Sequence, residues 1–492
     1  MITDDIKQAF PDISIPDVGS YYSEHIALWK NIFENKPPWS RVKKNGLYAK
    51  GDRQKKRLNI AKALCDKFTA LLFSEQVDIV LSDDPCQEYI TRTLDACGFW
   101  LRVPELLSVA FALGGGAFKV YSKDGKPQIE YVHADRFMPV EWEGKRITSC
   151  VITSAAAKAG KYYTLFEHYT PGKVAYKLFC SQSRTSLGLQ VALSELYPNL
   201  KDEANYGAEV PMFVYFAPDV SNNAEYDTPL GMSVFANAID TLEALDTAFD
   251  SFSREVVLGR KRIIVPAECI QTTVDTKTGK LVQYFDSDDE AFVALKAPDD
   301  GKLNITDNTL TLRIQEHVDA INALLNVLCM QVGLSPGALS FDAVQGLKTA
   351  TEVISQDNET QQTIKGNKNL FTEAIEELVR ALMTLGTYLN AAPKKDYEIT
   401  VGWKDNVVID DNTLVDNNIK LVQAGLKSKL KAVMAVQKCD EKTAQEELDR
   451  IAKEQAVTGL AVDDLMGDDE GDDEGGDDGD EAGDNAAEPR AE

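Results

Sequence analysis

The stretch TPLGMSVFANAIDTLEALDTAFDSFSREVVL, residues 228–258, decides how the rest of the chain is read. Thr228 has the chemistry of an N-cap. Pro229 suits a first helical residue, because proline lacks an N–H that the first turn cannot use. Phe235, Ala238, Ile239, Leu242, Leu245, Phe249, Phe252 and Val256 follow at steps of three and four. Such spacing keeps one face of a 3.6-residue helix apolar. Asn237, Asp240, Glu243, Asp250 and Arg254 fall off that stripe. The pattern predicts a helix over 228–258, a rod of roughly 40 Å at about 1.5 Å per residue. Its other face is too polar for a membrane span.

Working outward, a second rod is expected over 312–332, with Ile314, Val318, Ile321, Leu325, Leu328 and Val332 inward and Gly333 placed as its cap. Between the two rods lies a β-rich insert with strand-like runs Ile263–Val265, Leu281–Phe285 and Ala291–Leu295. After Gly333 a loop runs from Leu334-Ser335-Pro336-Gly337 through Gly346. It leads to a third helical stretch from about Thr349 to Asn390. The stripe of that stretch is clear only from Phe371, through Ile375, Leu378, Leu382, Leu385 and Leu389. Ser355–Thr363 is polar on all faces, which marks a bridging helix or one packed on something wet. Gly366 is expected to bend it.

Upstream, helices are expected over 17–36 (stopped by Pro37-Pro38), 55–74, 85–97 and 100–112, the last with Pro104 in its first turn. Residues 76–81 alternate like a strand. Ala117–Tyr121, an Asp124-Gly125 turn and Gln128–Val132 carry a hairpin signature. Cys150–Ser154, Tyr162–Tyr169 and Val174–Phe179 continue as strands. Downstream, Tyr397–Trp403 reads as a strand, followed by helices near 412–424, 429–437 and 441–455. The class is α+β, predominantly helical.

The 492 residues exceed one ordinary core and predict two to four structural units. Of the net charge of −26, about −14 belongs to residues 463–492, which hold fifteen Asp/Glu and one Arg. That segment cannot bury apolar surface and repels itself, so disorder is expected. The remaining acidic body argues against a large basic clamp on nucleic acid, which needs clustered Lys/Arg. It leaves room for a protein that lets DNA slide past. The first residues carry no basic and apolar signal pattern. No run of eighteen apolar residues suggests a span. The eight scattered cysteines lack a CxxC pair and read as reduced, buried hydrophobes of a cytoplasmic chain.

Gly333-Leu334-Ser335-Pro336-Gly337 matches the G-x-S-x-G nucleophile elbow. It follows a helix instead of a strand, and Pro336 has no N–H for an oxyanion hole, so a helix cap is the better reading. Gly114-Gly115-Gly116 leads into a strand, whereas phosphate loops open a helix, and no Gly-Lys dipeptide is followed by Ser or Thr. His25, His133, His168 and His317 fall at no metal-ligand spacing. His133-Ala134-Asp135 could be an acid–base pair, but suits a strand-end turn with an Asx cap better. The acidic tail lacks EF-hand spacing. No cofactor or metal is therefore expected. Arg260-Lys261-Arg262, the densest basic cluster of the second half, either meets an acidic or phosphate partner or simply complements a helix C-terminus.

Thr228-Pro229-Leu230-Gly231-Met232-Ser233, Gly333-Leu334-Ser335-Pro336-Gly337 and Gly346-Leu347-Lys348-Thr349-Ala350-Thr351-Glu352-Val353, in that order, resemble the portal (head–tail connector) proteins of tailed bacteriophages. Ala112–Tyr121 and Tyr131–Pro139 resemble the first unit of the branch found in siphophages and prophages of Gram-positive bacteria. The order of parts fits from about residue 20 to 455. The resemblance implies a ring of about twelve subunits at one capsid vertex, through which double-stranded DNA is packaged and ejected. It further implies a terminase large subunit, head-completion or connector proteins, scaffolding and major capsid proteins as partners, and no catalysis. The virion would be the final location, after assembly in host cytoplasm.

By that resemblance, 1–227 is a wing, 228–259 and 312–332 a two-helix stem, and 260–311 a β-rich clip. Residues 333–348 are a channel loop, 349–403 a long helix and return strand of the wing, 404–460 a helical crown and 461–492 a tail. Ser340, Phe341, Gln345 and Lys348 are then the DNA-channel loop candidates, with Lys348 the best for a transient phosphate contact. Arg260, Lys261 and Arg262 become candidates for partner docking on the clip. Asp240, Glu243, Asp246 and Asp250 along the first rod suit either a lumen that repels DNA or contacts between subunits. Two other readings compete. One is a hydrolase using Ser335, removed if Ser335→Ala folds and assembles normally and the protein lacks esterase or nucleotidase activity. The other is a cellular scaffold using the acidic tail, separated by deleting 463–492, which a ring should survive.

Overall fold

A computed structural model describes residues 2–45, 50–73, 76–259, 263–264, 271–274, 281–284, 306–307, 311–341, 350–404, 411–437 and 441–463. Contacts divide the chain into two units, 1–405 and 406–492.

The first unit opens with α1 (Ile2–Ala9), a π-helical turn Tyr21–Ile26 and α2 (Ala27–Phe33). The helix expected over 17–36 is thus half π-helix, and it stops before Pro37-Pro38 as predicted. Next comes a hairpin, β1 (Arg41–Asn45) and β2 (Lys50–Gln54), then α3 (Ile60–Leu72), β3 (Gln76–Leu81), α4 (Asp84–Ala96) and α5 (Phe99–Leu113). Pro104 therefore lies one turn inside α5 and not in its first turn.

The hairpin read from Asp124-Gly125 is present as β4 (Gly116–Lys123) and β5 (Lys126–His133). Both turn residues have positive φ, +51° and +73°, which a two-residue hairpin connection with this twist requires. β6 (Phe137–Glu143), β7 (Arg146–Lys158), β8 (Lys161–Thr170), β9 (Lys173–Ser181), β10 (Leu189–Val191) and β11 (Glu203–Asn205) form a six-stranded antiparallel sheet. β12 (Phe213–Phe216) pairs with β4 in a separate three-stranded sheet, β12-β4-β5.

That small sheet is the middle of three layers, because its side chains alternate. Phe118 points to helices, meeting Phe99 of α5 at 5.7 Å between ring centroids. One residue on, Lys119 points to the large sheet and bonds Glu167 of β8 at 2.7 Å. Opposite Lys119, Phe213 meets Phe137 and Tyr169 of the large sheet.

The rods follow. α6 (Ile239–Leu258) starts eleven residues later than Thr228-Pro229 predicts. Residues 228–235 are instead a buried non-helical segment, with Leu230 1%, Ser233 0% and Phe235 0% exposed. Local capping chemistry loses here to burial of Leu230, Met232 and Val234. The β segments between the rods are β13 (Ile263–Ile264) with β16 (Thr306–Asp307), and β14 (Gln271–Val274) with β15 (Leu281–Tyr284), both antiparallel. The run 291–295 lies outside the described residues. α7 (Ile314–Gln331) closes as expected at Gly333, φ +71°. Leu334 N–H reaches Cys329 O at 2.9 Å, the six-to-one bond of a glycine-capped C-terminus.

α8 (Ala350–Tyr388) is one continuous helix of 39 residues, so Gly366 does not break it. Gly366 serves close approach: a Cβ there would lie 1.8 Å from Asp219 Oδ2. The far half of α8 covers the helical face of the small sheet. There the fully buried Phe371 meets Phe73, Phe118, Phe216 and Trp403. β17 (Ile399–Lys404) returns to pair antiparallel with β3. The second unit holds α9 (Asp411–Gln423), α10 (Lys429–Gln437) and α11 (Glu441–Asp463), close to the three helices predicted. The acidic segment beyond 463 lies outside the described residues.

Candidate functional site

The rods are the centre of the candidate site, and three joints fix them. The first is the segment before α6. Gly114 caps α5 with φ +79°, and its backbone touches that of Gly231 so closely that a Cβ on Gly114 would sit 2.5 Å from Gly231 O. A Cβ on Gly231 would in turn sit 2.3 Å from Gly114 O. Tyr21 donates its hydroxyl to Gly231 O at 2.8 Å and accepts from Asn222 Nδ2 at 3.1 Å. Asn222 Nδ2 also reaches Leu230 O, and Val234 N–H reaches Phe111 O. Burial raises the Tyr21 hydroxyl well above the ordinary tyrosine range, so it stays protonated and able to donate. Gly114-Gly115-Gly116 is thus a packing joint.

The second joint holds the rods to each other. Thr241 of α6 donates to Gln331 Oε1 of α7 at 2.8 Å. At the other end Glu255 accepts from Arg313 Nη2 at 2.7 Å and lies 2.8 Å from His317 Nε2. The pairs 241–331 and 255–313 make the rods antiparallel. Arg313 and His317 hold the Glu255 carboxyl down to about 2. Leu245, Ile321, Leu325 and Leu328 are buried between these ends.

The row of acids on α6 is corrected here. Asp250 is 5% exposed and takes a two-pronged bond from Arg53, both prongs at 2.6 Å, plus Lys56 N–H at 3.0 Å. Arg53 holds its carboxyl below the usual range. Asp246 accepts from Trp39 Nε1 and Leu58 N–H, and burial raises its carboxyl above the usual range. Neither faces a lumen or a neighbour, because Trp39, Arg53, Lys56 and Leu58 of the same chain cover them. Asp240 and Glu243 remain exposed. The sequence pattern could not separate these pairs, since the covering strands lie about 190 residues away.

The third joint is at Gly333–Ser335. Thr363 of α8 donates to Gly333 O at 2.7 Å. Thr360 Oγ1 accepts Ser335 N–H at 2.9 Å and donates to Ser335 Oγ at 2.9 Å. Asn367 Oδ1 accepts Asp219 N–H at 3.0 Å. Thr360 and Thr363, at the end of the all-round polar stretch of α8, therefore pack on the backbone of Gly333 and Ser335 and not on water. The partner of Ser335 is a threonine, not the general base that an activated serine needs. Thr360, Thr363 and Asn367 were not singled out from sequence, although their steps of three and four were the available signal.

Beyond this joint the loop turns back along α7. Gly337 N–H bonds Asn326 Oδ1 at 3.0 Å and Phe341 N–H bonds Asn322 Oδ1 at 2.9 Å, four residues apart on both strands of the contact. The Phe341 ring lies 6.4 Å from both Phe249 and Phe252 of α6. So of the loop candidates, Phe341 is seated against the rods with 37% of its surface exposed, and Ser340 is exposed beside it. Gln345 and Lys348 lie outside the described residues, as do Arg260, Lys261 and Arg262.

With this geometry in view, the family described as "Phage portal protein, SPP1 Gp6-like" matches residues 17–458. The chain belongs to this portal family. Portal proteins of the family are structural components of the capsid that work as an oligomeric ring, so this is a virion protein. No curated protein matches the sequence. Among solved structures the portal chain is similar to a chain of "Virion of native gene transfer agent (GTA) particle", at 11% identity and a TM-score of 0.44, covering 88% of this chain and 99% of that one.

Proposed function

We propose that about twelve copies of this chain form the ring at one capsid vertex, and that double-stranded DNA is packaged and ejected through it. The observation that carries this reading is the antiparallel rod pair α6–α7, which spans short β segments at one end. At the other it hands the chain through a fixed turn to a loop that runs back along the rods. In this reading α6 and α7 are the stem, 260–311 the clip, 333–348 the channel loop and 404–460 the crown. The wing is 1–227 with 349–403. The clip, with Arg260, Lys261 and Arg262, docks the terminase large subunit and later the head-completion or connector proteins. Scaffolding and major capsid proteins surround the ring during assembly in the host cytoplasm. Work on DNA comes from the terminase, and this chain catalyses nothing.

A channel that moves DNA must not hold phosphate tightly, because each neutralised phosphate adds salt-dependent affinity. In this reading Lys348, with Ser340, Phe341 and Gln345 the channel-loop candidates of the sequence, makes only a passing contact. The primary test is oligomeric state by native mass spectrometry or negative-stain imaging. Rings of about twelve subunits are expected, and a monomer or dimer under all conditions sinks the reading. A narrower test is Lys348→Ala, which should leave rings intact and alter packaging. Unchanged packaging and DNA retention remove the contact assigned to Lys348.

A further inference from the structure

Residues 417–437 hold four Lys, at 420, 427, 429 and 431, and no acid, in a chain of net charge −26. They form one tight corner of the second unit. α9 closes at Gly425, φ +70°, and Leu426 N–H reaches back to Leu421 O at 3.0 Å, the same glycine cap as on α7. Ser428 then starts α10, its hydroxyl accepting Lys431 N–H at 3.2 Å. Lys427 Nζ folds back to Asn418 Oδ1 at 2.6 Å and holds the corner. Lys420, Lys429 and Lys431 are exposed around it.

Among the described residues no carboxylate lies within ion-pairing distance of these four lysines. The neighbouring stretch of α11, 442–453, is neutral, with Glu446, Glu447 and Asp449 against Lys442, Arg450 and Lys453. Arg450 takes Glu447 at 3.1 Å and Gln445 takes Asp449 at 3.1 Å. Lys429 and Lys431 also sit where a helix disfavours them. They occupy the first turn of α10, which holds no acid, and the positive end of a helix repels cations. A seated anion reverses that penalty.

We propose that the chain's own acidic segment, 464–492, docks on this corner and screens it from other polyanions. Charge matches. The segment holds fourteen Asp/Glu against Arg490, and its densest part, 468–474, has six acids in seven residues. Reach matches as well. Three residues join α10 to α11, so the two run antiparallel and the corner lies level with about residue 449. α11 ends at Asp463, about 21 Å further along. The twenty-nine residues that follow span about 30 Å root-mean-square, enough to return to the corner. Tethering gives the segment an effective concentration of about millimolar, which a partner in solution rarely matches. Exposed ion pairs are individually weak, so the contact is made by several at once and is sensitive to salt. On the portal reading given above, its consequence is that Lys420, Lys429 and Lys431 are kept off passing DNA, where each neutralised phosphate adds affinity.

The test is carbodiimide cross-linking of the full chain, which joins a carboxylate only to an amine in contact with it, mapped by mass spectrometry. Links from acids of 464–492 to Lys420, Lys429 or Lys431 are expected at low salt and should fade as salt rises. In preparations mixed from isotope-labelled and ordinary chains, linked pairs should carry matching labels. Mixed pairs, or links spread evenly over other lysines, overturn the assignment. Deleting 464–492 should leave the melting temperature unchanged and raise affinity for a short DNA duplex about tenfold or more at low salt, with a log–log salt slope of about −3. Adding Lys420→Gln, Lys429→Gln and Lys431→Gln should abolish that gain; Lys427 is spared because it holds the corner. A truncated chain that binds duplex no better than the full chain overturns the screen. A full chain that already binds duplex through the three lysines overturns it in favour of a phosphate contact. Full chains that cross-link as stated but form no rings sink the portal reading and leave the docking standing, whereas rings without these links sink the docking alone.

Discussion

Gly114 and Gly333 both close a helix in the left-handed conformation, with φ +79° and +71°, yet their neighbours differ in kind. The Gly114 joint presses backbone on backbone: the atoms a Cβ would strike belong to Gly231 and Met232. The Gly333 joint presses backbone on a hydroxyl: the atom a Cβ would strike is Thr363 Oγ1, at 2.7 Å. Backbone cannot step aside, whereas a threonine rotamer can. The first joint is a fixed hub between α5, β12 and the lead-in to α6. The second is an adjustable catch where α7 releases the chain into the loop.

The contrast breaks most readily at Gly114. Gly114→Ala should cost about 3–5 kcal/mol, combining left-handed strain with overpacking against immovable backbone, read as a loss of stability in denaturant titration. A cost near that of Gly333→Ala would erase the distinction. Tyr21→Phe leaves the buried Gly231 O and Asn222 short of a partner and should cost about 2 kcal/mol by the same measurement. Gly333→Ala should cost about 2 kcal/mol, the left-handed strain plus the bond to Gly333 O that Thr363 gives up by turning away. Thr360→Val removes the acceptor for Ser335 N–H and should cost about 1 kcal/mol. Its clearer readout is faster hydrogen exchange over 333–341, with exchange at 228–235 unchanged.

The smallest effect is in pH. Arg53 lowers the folded pKa of Asp250, so its stabilisation is present above the unfolded value of about 4 and is lost as pH falls through the folded value. Asp246, raised by burial, has the opposite sign: its contribution is present at low pH and is lost as pH rises through its folded value. The wild-type melting temperature should therefore fall only gently below pH about 4. Asp250→Asn should flatten that fall.

Much of the fold is legible locally. Asp124-Gly125 states its hairpin, the stripe from Phe371 to Leu385 states a core helix, and Gly333 states a cap. What fails is whatever depends on a distant neighbour. Thr228-Pro229 has every local mark of a helix start, but Gly231 is needed for contact with Gly114, 117 residues earlier, and the helix waits until Ile239. Gly366 looks like a kink because its use, making room for Asp219, is not local. RVKKN and KGDRQ have little strand propensity, and the hairpin they form is held from a distance, by the grip of Arg53 on Asp250. For the site, a loop after Gly333 could be expected from the order of parts. Thr360 and Thr363 could not, since a polar stripe looks solvated until the amides it holds are known.

The pairing of β3 with β17 governs how the chain comes into being. Glu398 N–H meets Ser82 Oγ across 316 residues, and six register pairs follow. During synthesis β3 emerges without the strand that completes it, and at about 5–20 residues per second the wait lasts about 16–63 s. Both rods, the β segments between them and all of α8 are made in that interval. The first unit is sewn shut by one of its last segments. A nascent or truncated chain ending before residue 399 keeps a bare strand edge, with Val80 half exposed even in the finished protein. Synthesis of β17 thus acts as the timer for closing the first unit, and chains terminated before it are marked by an open edge.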